Sequence, residues 1–205
     1  MRTLAIDCAT EACSVALFEG VTLVAAHHDL IGRGHAERLV PLIADLPAKG
    51  RSDRILVSLG PGSFTGVRIG IAAARALGLA WNSAVLGYPT LALVAAMARA
   101  HHPGPVTICM AGGHGEWFVQ DFGADGLPLG QLASLPPDIV RDRPLQPVLA
   151  GSKASAMVSL TSTSAISLDI LPDARQVGNV PGSLLSQNLS PIYGRGPDAK
   201  LPAAR

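Results

Sequence analysis

The first residue able to do chemistry is Asp7, which closes the apolar run Thr3-Leu4-Ala5-Ile6 and is followed by Thr10 and Ser14. A carboxylate at a strand end with hydroxyls just beyond it has the form of a phosphate-side loop. In such a loop the acid holds a metal ion and the hydroxyls face phosphate. The plainer alternative is an aspartate that ties down its own turn through the backbone. The second cluster is Gly60-Pro61-Gly62-Ser63-Phe64-Thr65-Gly66-Val67-Arg68. Its glycines allow positive φ and close backbone approach, and Ser63 or Thr65 can cap a helix that follows. Free N–H groups at that helix start can receive an anion or another protein's backbone. The segment is not a Walker A loop, because no Lys-Ser/Thr follows the glycines. Nor is it the Gly-x-Ser-x-Gly of a hydrolase, because Ser63 directly follows Gly62. Arg68, one turn into the helix, is placed to pair with a carboxylate or a ligand, or to stand solvated.

The histidines and cysteines carry less. In His35-Ala36-Glu37-Arg38-Leu39 a helical metal pair would need a second histidine at position 39, where leucine stands, so His35 reads as a capping or interface residue. His27-His28 and His101-His102 are adjacent pairs whose members cannot share one face of an element, which argues against a common metal. Cys8, Cys13 and Cys109 make an odd count without Cys-x-x-Cys spacing and read as small buried thiols.

The elements that must position these groups are legible from hydrophobic period and punctuation. Residues 3–6, 13–18 and 21–27 form three apolar runs, the last two joined at Glu19-Gly20, so the chain is expected to open with three strands and a tight hairpin. Ala36, Leu39, Val40, Leu42, Ile43 and Leu46 recur at helical spacing up to Pro47 and Gly50. Strands are expected at 55–59 and 84–86, with helices over 64–80 and from Thr90 to about Ala100. His101-His102-Pro103-Gly104-Pro105 breaks the pattern and marks the expected domain boundary. Beyond it, strands are expected at 106–110, 116–122, 127–133 and 148–150 and a helix at 153–160, with a Pro-rich segment at 136–147. The reading is thus an N-terminal α/β lobe over 1–102, a smaller α/β lobe over 103–190, and a Gly/Pro-rich tail over 191–205, ordered only in part. Hairpin strands followed by alternating helices and buried strands predict mixed sheets covered on both faces.

Composition sets the outer limits. The 205 residues are 48% hydrophobic and 15% charged, enough for a full core. Despite a mean hydropathy of +0.35, no run is long and apolar enough to cross a bilayer. Asp7 and Glu11 interrupt any signal-peptide core, so the expected location is cytoplasmic, with no membrane association. A net charge of +1 argues against a protein that grips nucleic acid alone.

Three stretches occur in order: Ala5-Ile-Asp-Cys-Ala-Thr-Glu-Ala-Cys-Ser-Val-Ala-Leu17, His35-Ala-Glu-Arg-Leu39, and Gly60-Pro-Gly-Ser-Phe-Thr-Gly-Val-Arg-Ile-Gly-Ile-Ala-Ala-Ala-Arg-Ala-Leu77. With them the chain closely resembles the TsaB (YeaZ) family. The resemblance is strong to about residue 100 and fainter through Gly115-Glu-Trp-Phe118 and Pro191-Ile-Tyr-Gly-Arg195, which is similar to that family's closing Pro-x-Tyr-x-Arg. It implies an actin-like, sugar-kinase-like (ASKHA) ATPase fold of two RNase H-like lobes with mixed sheets, the second lobe reduced. It also implies a role as the non-catalytic dimerisation and scaffolding subunit of the machinery that makes N6-threonylcarbamoyladenosine in tRNAs reading ANN codons. On that reading the catalytic subunit is a TsaD-like partner carrying a metal-binding His-x-x-x-His, and a TsaE-like ATPase joins the larger complex. The chain alone is expected to form a homodimer that competes for the partner face. tRNA is met only through the complex. No cofactor is expected of its own, with ATP or ADP a candidate at the interface with the catalytic partner.

The partner face is assigned to the first lobe's helices through His35, Leu39, Leu42, Ile43, Phe64, Val67, Ile71 and Arg75; ligand contact is assigned to Asp7, Thr10, Ser63, Thr65 and Arg68, and catalysis and metal binding to none. Ala111-Gly112-Gly113-His114 stands where the family's Asp-Ala-Arg is expected, which removes an acidic and basic pair. The same residues admit two other function classes. One is a nucleotide-dependent acyl or phosphoryl transferase acting alone through Asp7, Thr10 and Arg68. The other is a peptidase, disfavoured by the lack of His-Glu-x-x-His and of a nucleophile–base pair.

Overall fold

The computed structural model describes residues 1–194, so Arg195 and the rest of the expected tail lie outside the described residues. The chain opens with an antiparallel meander of β1 (Arg2–Asp7), β2 (Ala12–Glu19) and β3 (Thr22–Leu30). A two-residue Gly20-Val21 loop joins β2 to β3. Gly20 sits at φ 61°, as a hairpin turn with glycine at its first position requires. Next come α1 (His35–Asp45), β4 (Arg54–Ser58), α2 (Phe64–Trp81), β5 (Ala84–Tyr88) and α3 (Thr90–His101). β4 runs parallel to β1, and β5 parallel to β4, giving the sheet order β3-β2-β1-β4-β5.

The central strands are apolar on both sides because both faces are covered. Leu4, Ile6, Ile55 and Val57 pack with Leu39, Leu42, Ile43, Val67 and Ile71 of α1 and α2. Ala5, Leu56 and Tyr88 face α3 instead. That helix is buried nearly all round, from Thr90 through Ala96 and again at Ala98, because it lies between two sheets.

The second sheet consists of β6 (Val106–Ala111), β7 (Trp117–Phe122), β8 (Ala133–Leu135), β9 (Val148–Ala150) and β10 (Ile166–Leu168), in the order β10-β9-β6-β7-β8. α4 (Pro137–Arg141) follows β8, and α5 (Ala154–Thr161) connects β9 to β10. Three antiparallel strands followed by two parallel ones repeat the plan of the first sheet. The second lobe is therefore reduced in strand length and not in strand number.

Two readings of this half need correction. The strand expected at 127–133 is irregular as far as Leu132: it follows a turn at 123–127 and meets β7 only through an isolated Phe122–Pro128 bridge. Gly126 has φ 80°, Gly123 N–H donates to Leu127 O, and the paired strand begins at Ala133. Leu127 and Leu129 alternate as strand residues do, yet both are exposed. β10 was not anticipated, since Ile166-Ser167-Leu168 is too short to show a period.

The expected boundary at 102/103 falls in the turn between α3 and β6, but packing does not divide there. Ile108, Phe118 and Phe122 join Leu56 and Tyr88 in one core cluster with α3 between them. After β10 the chain returns to the first lobe. A 3-10 helix, Ala174–Asn179, packs on β1, β2 and β3, with Ala174 N–H donating to Ser14 Oγ at 2.9 Å. Gly87 and Ser186 then form an antiparallel bridge, and Ile192 N–H donates to Leu59 O at 2.7 Å.

Candidate functional site

The glycine-rich segment turns β4 into α2 at the edge of a cleft of about 1000 Å³ between the lobes. Three glycines do three different jobs. Gly60 holds φ 91°, and a Cβ there would come within 2.9 Å of Ile192 O. Gly62 and Gly66 are needed for proximity, because a Cβ would collide with Ala9 O at the first and Cys8 O at the second. Ser63 is the cap, its Oγ accepting Gly66 N–H at 3.2 Å, while Thr65 lies inside the helix. Ser63 N–H is taken by Ala9 O at 2.7 Å. The expected anion cradle is thus partly filled by the protein's own 8–10 turn.

Asp7 does not reach the cleft. It is fully buried, with Oδ1 accepting Ala9 N–H at 2.9 Å and Oδ2 lying 3.2 Å from the Tyr88 hydroxyl, which is also 3.0 Å from Ile6 O. The ligand-contact assignment for Asp7 is corrected: the carboxylate holds its own turn. Burial pushes its pKa up to about 6, a rise moderated by the Ala9 N–H, by Ser58 and Tyr88, and by His28 nearby. Thr10 does line the cleft, and its Oγ1 accepts Ala12 N–H at 3.3 Å. Thr65 is exposed and is not among the cleft-lining residues.

Arg68 is exposed, and among the described residues it pairs with no carboxylate but is framed by two rings. Its guanidinium carbon stands 3.3 Å over the Phe64 ring and 5.6 Å from the Tyr193 ring, and Nη2 donates to Tyr193 Oη at 2.8 Å. Each such cation–π contact at an exposed site contributes on the order of 0.5–1 kcal/mol, so that the two rings and the hydrogen bond together favour this placement of the group. The cleft's first-lobe wall is therefore an aromatic-framed cation. Ala111, Gly112, Gly113 and His114 form the opposite wall, with Phe118 and Ser152 behind them. Gly112 N–H donates to Glu116 O at 2.8 Å in a turn too tight for a Cβ, which would sit 2.7 Å from that oxygen. From sequence, none of Glu11, Phe118 and Ser152 is assigned to a site; Phe118 and Tyr193 are visible only as parts of the Gly115-Glu-Trp-Phe118 and Pro191-Ile-Tyr stretches.

The residues assigned to a partner face divide sharply. Leu39, Leu42, Ile43, Val67 and Ile71 are buried in the lobe's own core, packed on β1 and β4. His35 is buried too, with Nε2 3.3 Å from Ala12 O. Helical spacing identified these apolar positions, but a helix with one strong stripe turns that stripe inward. Of the assigned apolar residues only Phe64 (61%) is exposed; the other exposed large apolar side chains of α1 and α2 are Val40 (61%) and Leu79 (88%), which were not assigned. Arg75 also points outward, donating to Leu189 O at 3.3 Å.

The family model described as "TsaD: tRNA N6-adenosine threonylcarbamoyltransferase" matches residues 27–126. The Escherichia coli K12 protein called tRNA threonylcarbamoyladenosine biosynthesis protein TsaB is 35% identical over 94% of this chain and 94% of its own length. The chain belongs to the TsaB family. Among solved structures, YeaZ from Pseudomonas aeruginosa superposes on this TsaB-family chain with a TM-score of 0.78 at 28% identity, covering 94% of this chain and 99% of that one. The ethanolamine utilization protein EutJ from Carboxydothermus hydrogenoformans shares the fold alone, with a TM-score of 0.52 at 11% identity over 88% of this chain and 89% of its own. The two lobes of this chain, each a five-stranded mixed sheet of the same strand order, have the fold of these solved structures.

Proposed function

We propose that this chain is a non-catalytic subunit of tRNA N6-threonylcarbamoyladenosine biosynthesis that binds and orders a TsaD-like catalytic partner. The observation that carries the reading is the outer face of α1 and α2, where Val40, Phe64 and Leu79 stand exposed in a chain of the TsaB family. Exposed large apolar side chains on adjacent helices fit a protein interface better than a solvated surface. A second point supports the accessory role. Asp7, the carboxylate best placed by sequence for a metal-bound phosphate, is spent on Ala9 and Tyr88, and the Ser63 hydroxyl is spent as a helix cap.

In the absence of the partner, the same face joins two copies of the chain. tRNA is met by the assembled complex, consistent with the near-neutral charge of this subunit. A TsaE-like ATPase belongs to the larger assembly, and nucleotide sits at the interface with the catalytic subunit. Light scattering of the chain mixed with a TsaD-like protein tests the proposal. The expected result is a complex at micromolar concentration, lost in Val40→Asp and Leu79→Asp variants whose circular dichroism is unchanged. Failure of the wild-type chain to bind would sink the proposal.

The interlobe cleft favours a second reading, a nucleotide-dependent transferase acting alone, since Arg68 and Thr10 both face it. This reading requires saturable ATP or ADP binding by the isolated chain, measured by calorimetry and weakened in Arg68→Ala. Absence of such binding disposes of it.

A further inference from the structure

Cys8 and Cys13 belong to no part of the function proposed above, yet their Sγ atoms lie 3.7 Å apart. Both are free thiols and both are buried, at 1% and 0% exposure. Asp7 and Ser14 are the last directly paired residues of β1 and β2, so Cys8 and Cys13 face each other one step further on, where the strands part into the 9–11 turn. Directly opposed antiparallel residues have Cα atoms about 4.5–5.5 Å apart, inside the roughly 4.4–6.8 Å that a disulfide spans. Side-chain rotation can close the remaining gap without moving the sheet.

The pair sits directly under the cleft. Ala9, Thr10 and Glu11, which lie between the two cysteines, form part of its rim. Cys8 O abuts Gly66 in the first turn of α2, and Ala9 O accepts Ser63 N–H. Whatever fixes residues 8–13 therefore also fixes the start of α2.

We propose that Cys8 and Cys13 are a reversible oxidation site, which closes under a peroxide to an intramolecular disulfide that clamps the 9–11 turn of the cleft rim, against which α2 begins. The S–H···S contact makes the roles unequal. Either sulfur can donate in it, and the thiol that accepts is the easier of the two to deprotonate. That thiol is the attacking thiolate. Its sulfur takes one oxygen from hydrogen peroxide to give a sulfenic acid and one water. The other cysteine's sulfur next displaces that oxygen as a second water, its proton leaving with it, and the S–S bond forms. Two thiols lose two electrons and two protons, and one peroxide becomes two waters. A dithiol reverses the step by exchange. Because both thiols are covered, reaction proceeds through opening of the 9–11 turn and is slower than that of a free thiol. Cys109 provides an internal control: it is buried in the other sheet's cluster, and burial pushes its thiol up to about 12.

The test is to treat the full chain with hydrogen peroxide, alkylate under denaturing conditions, and map tryptic peptides by mass. The peptide Thr3–Arg33 holds both cysteines. It is expected to lose two hydrogens and escape alkylation, while Cys109 is alkylated and dithiothreitol restores the reduced mass. Hydrogen exchange of residues 9–12 and 63–67 is expected to slow in the oxidised form. Cys8→Ser is expected to leave no disulfide. If Thr3–Arg33 remains fully alkylated under conditions that oxidise the unfolded chain, or if the product is an intermolecular or Cys109-linked disulfide, the proposal is overturned. These readouts need no partner, so they stand or fall apart from the subunit function.

Discussion

Asp7 has a raised pKa because the fold removes water from a carboxylate and returns only a few hydrogen bonds to it. Its ordinary value of 3.8 becomes about 6. In the window between those values the folded state keeps a proton that the unfolded chain has released, so stability falls as pH rises through it. The full benefit is present below about 4, and above about 6 the loss approaches roughly 3 kcal/mol at 1.4 kcal/mol per unit. Asp7→Asn keeps an acceptor for Ala9 N–H and cannot ionise. Urea unfolding across this range is expected to give a flatter stability profile for the variant than for the wild-type chain. Equal slopes would mean that the carboxylate is not buried as described. At the same scale, Arg68 shows how two rings can replace a counter-ion: Phe64 and Tyr193 hold the guanidinium without neutralising it, so its charge still faces the cleft.

The decisive contact between elements is that of the 8–10 turn against the start of α2. Backbone meets backbone there, with Cys8 O against Gly66 and Ala9 O against Gly62 and Ser63 N–H. Gly62→Ala and Gly66→Ala would each push these carbonyls away. Each is expected to lower stability by about 2–3 kcal/mol in denaturant titrations. Gly178→Ala, where nothing lies within 4 Å of an added Cβ, is expected to change stability by less than about 0.5 kcal/mol. Equal effects at all three positions would refute the packing argument. The inward turn of the Leu39, Leu42, Ile43, Val67 and Ile71 stripe belongs to this scale too, since it leaves the outer face to the sparser Val40, Phe64 and Leu79.

Over the whole molecule, α3 packs against both lobes and joins them in one core cluster. Its Leu91, Leu93 and Val94 are fully buried in a cluster that draws on both sheets. A chain ending at residue 102 would leave much of that surface in water, with no compensating gain. Residues 1–102 expressed alone are expected to bind a hydrophobic dye and to show poor amide dispersion by NMR, whereas the intact chain unfolds in one cooperative transition. A well-dispersed, cooperatively folded fragment would show that the boundary at 102 divides two independent domains. No helix among the described residues is long and apolar enough to cross a membrane.

The α/β plan, the three-strand opening, the helices over about 36–46, 64–80 and 90–100 and the resemblance to the TsaB family could all be read along the chain, to within a residue or so of the observed bounds. Each rests on local signals: hydrophobic period, Gly and Pro punctuation, and contiguous motifs. The strand at 166–168 could not, because three residues are too few to show a period, and at 127–129 the alternation of Leu127 and Leu129 mimics a strand although both are exposed. The candidate site was half legible. Gly62, Ser63 and Arg68 announced a turn and a cation, but Asp7 is drawn from the cleft by Tyr88, 81 residues away, and Arg68 is held by Tyr193, 125 residues away. Which face of a helix is inward, where a buried carboxylate turns, and whether two cysteines meet are questions of packing between distant segments. Packing is settled by shape and burial in three dimensions, and leaves little mark on the order of residues.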